Sequence, residues 1–99
     1  MTPRNPRTVC KDGFSLSVQA HEGAYCSPSA SFAPVYTAVE VGFPSAPEPL
    51  LAEWQETDGD PCESIYPWTP VEVVRAVIAK HGGIVAGQCP AGVYPPCGA

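Results

Sequence analysis

The chain has 99 residues, 44% of them apolar and 15% charged, with thirteen prolines and nine glycines. That length holds one hydrophobic core, and that balance excludes a disordered chain while predicting a loop-rich body of short elements. Ten acidic and five basic side chains give a formal charge of −5, which argues against direct binding to nucleic-acid phosphates. No run approaches the ~20 apolar residues of a membrane span, and the first residues lack the apolar stretch of a secretion signal, so a cytoplasmic protein is expected. A single domain is expected over residues 1–99, with a flexible lead-in over 1–6 and a proline-rich tail over 88–99.

In chain order, the first element is the β-prone run Thr8-Val9-Cys10, followed by Asp12-Gly13. That dipeptide reads as a hairpin turn, because both of its positions can take positive φ. Phe14, Leu16, Val18 and Ala20 then alternate with Ser15, Ser17 and Gln19, the period of a half-buried strand. Residues 21–34 read as a loop rich in proline, glycine and serine. The β-branched stretch from Val35 to Phe43 predicts a second long strand, ended by Pro44. Residues 48–55 fit either a short helix or a strand. The strand reading is preferred, because Val35–Phe43 needs a neighbour. Thr57-Asp58-Gly59-Asp60-Pro61 is a turn.

The strongest local signal is a helix with both ends marked. Thr69 is expected as N-cap, Pro70 as the first helical residue and Glu72 as the partner in a capping box. Gly82 supplies the left-handed residue after the last turn, and Ile84 can fold back onto it. Around the wheel, Val71, Val73, Val74, Val77 and Ile78 form an apolar half opposite Glu72, Arg75, Ala79 and Lys80. The fold class that satisfies these elements is α+β: three to four antiparallel strands packed against one helix over about 70–81, with Phe14, Leu16, Val18, Val39, Val41, Val74 and Ile78 in one core.

No catalytic or ligand signature stands out. His81 ends the helix, where a cation suits the dipole, and no serine or cysteine stands at a spacing that defines a triad with it. The five cysteines form no C-x-x-C pair, and their spacing to His21 and His81 fits no recognised zinc site, so free thiols and no metal are expected. Asp58, Asp60 and Glu63 surround Gly59 without the twelve-residue order of an EF-hand, which makes them a solvated acidic turn. Trp54, Tyr66 and Trp68 lie outside the helix, and such aromatics serve equally as core fillers and as interface anchors.

Four stretches together carry a resemblance: Cys10 to Ala20 (CKDGFSLSVQA), Tyr25-Cys26-Ser27-Pro28, Val39 to Ser45 (VEVGFPS) and Pro70 to Gly83. The chain resembles a group of small proteins carried by tailed bacteriophages and prophages, over about three quarters of its length. Where that group carries an arginine after Tyr-Cys-Ser-Pro, this chain has Ser29. By analogy of class, the resemblance implies a viral, non-enzymatic protein of the host cytoplasm that inhibits a bacterial defence system, as anti-CRISPR proteins do. Its partner is then a host protein or defence complex, with Trp54, Asp58, Asp60, Glu63, Tyr66 and Trp68 as the expected contact residues and no cofactor. A homodimer is compatible with this reading. The alternatives are a sponge for a nucleotide-like molecule, held in an oligomer pocket of Trp54, Tyr66 and Trp68, and a phage accessory protein without a defence role.

Overall fold

The computed structural model describes residues 4–93; the expectations for the first three residues and for the tail from Tyr94 onward, Cys97 included, lie outside them. Five strands, β1 (Thr8–Cys10), β2 (Ser15–Gln19), β3 (Ala38–Gly42), β4 (Ile65–Pro70) and β5 (Ile84–Ala86), form one antiparallel sheet in the order β4-β3-β2-β1-β5. A single α-helix, α1 (Val71–Lys80), follows β4, and two 3₁₀ helices, Pro49–Trp54 and Pro61–Glu63, interrupt the connection between β3 and β4. The fold is α+β as expected, with one strand more.

Alternation builds the core. Leu16, Val18, Val39, Val41 and Tyr66 point inward from β2, β3 and β4, and meet Val71, Val74, Val77 and Ile78 of α1. All seven residues expected to share a core do so. The serines between them, Ser15 and Ser17, stay half-exposed on the other face.

The β1–β2 hairpin forms, but through a three-residue loop. Cys10 N–H donates to Phe14 O at 2.8 Å, Gly13 N–H donates to Cys10 O at 2.9 Å, and of the loop residues Gly13 alone has positive φ. Asp12 is held in an ordinary conformation because its carboxylate accepts from Phe14 N–H at 2.9 Å. A left-handed glycine as third loop residue reconciles the turn with the strand twist.

Two expectations about strands change. Of Val35–Phe43, only Ala38–Gly42 joins the ladder: Tyr36 N–H donates to Ala91 O and Thr37 N–H to Ser27 O, so loops partner the preceding residues. Residues 48–55 form no strand. Pro49 starts a 3₁₀ helix, the Glu48 carboxylate accepts from Leu50 N–H at 2.9 Å, and Leu51 N–H donates to Glu48 O. The neighbour that β3 needs is β4, which begins beyond both 3₁₀ helices.

The helix N-terminus also differs from expectation. Thr69 belongs to β4, fully buried opposite Val39, and its hydroxyl donates to Tyr66 O at 2.9 Å. It is therefore not the N-cap. Pro70 occupies that position with no side-chain cap, Glu72 completes no capping box, and Val71 N–H is satisfied by Thr37 O at 3.0 Å. Because β4 runs directly into α1, the hydroxyl serves the strand. The C-terminus follows the sequence: Gly83 N–H donates to Ile78 O and Gly82 N–H to Ala79 O, the two bonds of a Schellman motif, with both glycines left-handed. Ile84 then packs on the core and opens β5. At the end of β5, Gly87 has φ of 92°, and a Cβ there would stand 2.0 Å from Arg7 O, so no other residue fits.

Candidate functional site

The acidic loop between the two strands β3 and β4 is built on a fixed frame. Asp60 caps the second 3₁₀ helix by accepting from Cys62 N–H at 2.9 Å. Gln55 Nε2 donates to Gly59 O and to Ser64 Oγ, while Ser64 Oγ donates to Asp60 O at 2.8 Å. Glu56 N–H reaches Ile65 O on β4. From this frame Glu53, Glu56, Asp58, Asp60 and Glu63 project into solvent, and none has an ion-pair partner among the described residues. The sequence supports the same asymmetry: every acidic residue lies between Asp12 and Glu72, and no lysine or arginine occurs from Gly13 to Val74.

The structure distributes the six expected contact residues over different environments. Asp58, Asp60 and Glu63 sit together on the exposed loop, as expected of a solvated turn. Trp54 is half-buried at the end of the first 3₁₀ helix and lines a groove of about 420 Å³ against α1, with Leu50, Glu53, Glu72, Val73 and Ala76. Trp68 is exposed on β4, in a bulge opposite Glu40, with its ring 5.1 Å from that of Tyr25. Tyr66 is internal, at 1% exposure, and supports the loop from below by donating its hydroxyl to Pro61 O at 2.7 Å. The strand period turns its side chain toward the core, so it is not exposed as a contact residue was expected to be. Trp54, Tyr66 and Trp68 thus form no common lining within one chain.

Two further aromatics are exposed beside the expected contact residues. Phe32 and Phe43 share with Trp68 a left-handed backbone, and these three are the non-glycine residues with positive φ among the described residues. Left-handed backbone is costly for bulky side chains and gathers where a surface is put to use. The proline next to Phe43 and the one next to Trp68 were the available signals.

A second acidic group is spent on structure. Glu48 is buried beneath the corner where the first hairpin, the first 3₁₀ helix and the end of α1 meet. His81 lies between two carboxylates, Nε2 2.7 Å from Glu48 and Nδ1 2.6 Å from Asp12, and stacks on Phe14 at 4.0 Å between centroids. Lys80 Nζ reaches the other Glu48 oxygen at 2.9 Å. Burial works against the His81 cation, but the hydrogen bonds and charges of Glu48 and Asp12 outweigh it and raise the imidazole above its ordinary value. Burial likewise opposes the Glu48 anion, yet Leu50 N–H, His81 and Lys80 hold it below the usual carboxylate range. Asp12 is lowered by Phe14 N–H and then by His81.

With both ring nitrogens engaged by carboxylates, His81 presents no free nitrogen to activate a nucleophile. The described cysteines are unpaired, and burial pushes the Cys10, Cys26 and Cys89 thiols up, away from the reactive thiolate. Among the described residues no group of three or more histidine, cysteine or acidic side chains is arranged to hold a metal ion, and no helix is long and apolar enough to cross a membrane. Comparison of the chain with protein-family models, with curated proteins and with solved structures finds no match in any of the three.

Proposed function

We propose that the protein acts by stoichiometric binding to a protein target, blocking one of its surfaces, and that in the phage setting implied by the resemblance this target is a bacterial defence complex. The observation that carries the reading is the acidic loop: Glu53, Glu56, Asp58, Asp60 and Glu63 stand exposed, without an ion-pair partner among the described residues, on a frame held by its own hydrogen bonds. Charges presented on a fixed loop attract a basic surface over about a Debye length and need little ordering on contact. A basic groove that normally receives nucleic acid is the complementary surface. The nucleotide-sponge alternative is not favoured, since Glu53 and Glu72 flank the groove at Trp54 and would repel a phosphate.

The test combines dose and charge. In a phage-defence assay, protection should saturate when the protein equals its target in amount; protection at far smaller amounts would mean turnover and remove the binding reading. The triple reversal Asp58→Lys, Asp60→Lys and Glu63→Lys should slow association with the target by about tenfold at low salt and by less at high salt. An association rate indifferent to both salt and reversal would separate the loop from the function.

A further inference from the structure

We infer that the groove between the first 3₁₀ helix and α1 is a docking site for a basic amphipathic segment of the partner, a helix whose apolar stripe is flanked by arginine or lysine. This rests on the binding reading above and names the chemistry of what binds. The floor of the groove is apolar: Leu50 is 41% exposed, and Trp54 and Val73 offer faces that the core leaves uncovered. Ala76, the next residue along that side of α1, has too small a side chain to close the trough.

One carboxylate stands on each wall, Glu53 on the 3₁₀ helix and Glu72 on α1, and neither is ion-paired among the described residues. The two cations of the helix are directed elsewhere. Lys80 is bound to Glu48, and Arg75 lines the neighbouring depression with Val35 and Thr37, on the far side of Glu72, which borders both hollows without an ion pair to Arg75. An apolar trough with unopposed negative walls selects an occupant that is apolar in the middle and positive at the edges. An amphipathic helix presents that pattern through anchors at i, i+3 or i+4 and i+7. The indole of Trp54 adds a ring face for a guanidinium beside Glu53. The volume of about 420 Å³ is room for several side chains, more than a single residue needs.

The probe is a synthetic helical peptide with leucines in one stripe and arginines beside it, together with the same peptide carrying glutamate for arginine. Titrated into isotope-labelled protein, the arginine peptide should shift amides at residues 50–54 and 72–76 and change Trp54 fluorescence. The glutamate peptide should bind at least tenfold more weakly. The double variants Glu53→Gln/Glu72→Gln and Glu53→Arg/Glu72→Arg should weaken the arginine peptide stepwise, with unchanged melting to show that the fold is intact. No shift at millimolar peptide, shifts centred elsewhere, or equal binding of both peptides would each overturn the inference. So would equal occupancy by arginine amide alone, which would make the site a small-cation pocket. The triple reversal at Asp58, Asp60 and Glu63 separates this inference from the broader one. If that reversal slows target association while the groove variants do not, the binding reading stands and the groove falls; if the groove variants alone matter, the loop loses its role and the groove remains.

Discussion

Two acidic regions of this molecule lie a few residues apart in sequence and do opposite work. At the corner below α1, Glu48 is buried and fully engaged by Leu50 N–H, Lys80 and His81, while Asp12 takes the other side of the imidazole. On the loop from Glu53 to Glu63 the same kinds of side chain are exposed and meet no cation among the described residues. Residue type and local density do not separate the two. What separates them is the supply of positive charge: Lys80 and His81 both lie at the end of α1, so the carboxylates that reach that end are neutralised and those at the far loop are not. The first set holds three elements together, and the second is left exposed to solvent.

The largest test breaks the corner. Glu48→Ala removes the shared acceptor of a backbone N–H, an ammonium and an imidazole. Losing one member of a buried pair costs roughly 3–5 kcal/mol, and the half-exposed Lys80 brings the expectation to about 2–3 kcal/mol. A urea denaturation midpoint checks it. A loss below ~1 kcal/mol would put Glu48 in the same class as the loop acids.

How much of this could be read beforehand depends on the range of the interactions. The alternation at Leu16 and Val18, the apolar half of α1 and the glycine stop at Gly82-Gly83 are local patterns, and each appears where the sequence put it. The corner could not be read, because Asp12, Glu48 and His81 are joined only by the tertiary fold, at separations of 33 to 69 residues. The same cause hid β5, whose three residues are defined by pairing with β1 across the chain. Thr69 shows a local signal overridden: its cap motif is intact in sequence, but strand pairing with Val39 claims the residue first. Thr69→Val, which keeps the shape and removes the hydroxyl, should therefore cost about 1 kcal/mol through the bond to Tyr66 O. Hydrogen exchange should weaken at the end of β4; a loss confined to the first turn of α1 would restore Thr69 to the N-cap role.

The comparison sharpens with pH. His81 is raised in the folded state, so its contribution is fully present below about pH 6.5, its ordinary value, and is lost as pH rises through the higher folded value. Glu48 and Asp12 are lowered, so theirs is present above about pH 4 and lost as pH falls through the folded values, with the Asp12 share reduced by its exposure. Stability from the corner should be greatest between about pH 4.5 and 6.5. His81→Gln should flatten the decline on the alkaline side, and a variant that keeps that decline would place its origin outside the corner.

The smallest expected effect on stability belongs to the loop, and its smallness is the point. Asp58, Asp60 and Glu63 are exposed, and among the described residues only Asp60 lends its carboxylate to a backbone N–H, that of Cys62. Reversing all three to lysine removes that one cap and relieves repulsion among neighbouring like charges, two terms of opposite sign. The net change should stay within about 0.5 kcal/mol, the usual range for surface substitutions. Asp60→Asn in place of Asp60→Lys keeps an acceptor for Cys62 and should bring the change closer to zero. If the triple variant instead melts like Glu48→Ala, the loop charges are part of the fold, and the division between a neutralised corner and an available loop fails.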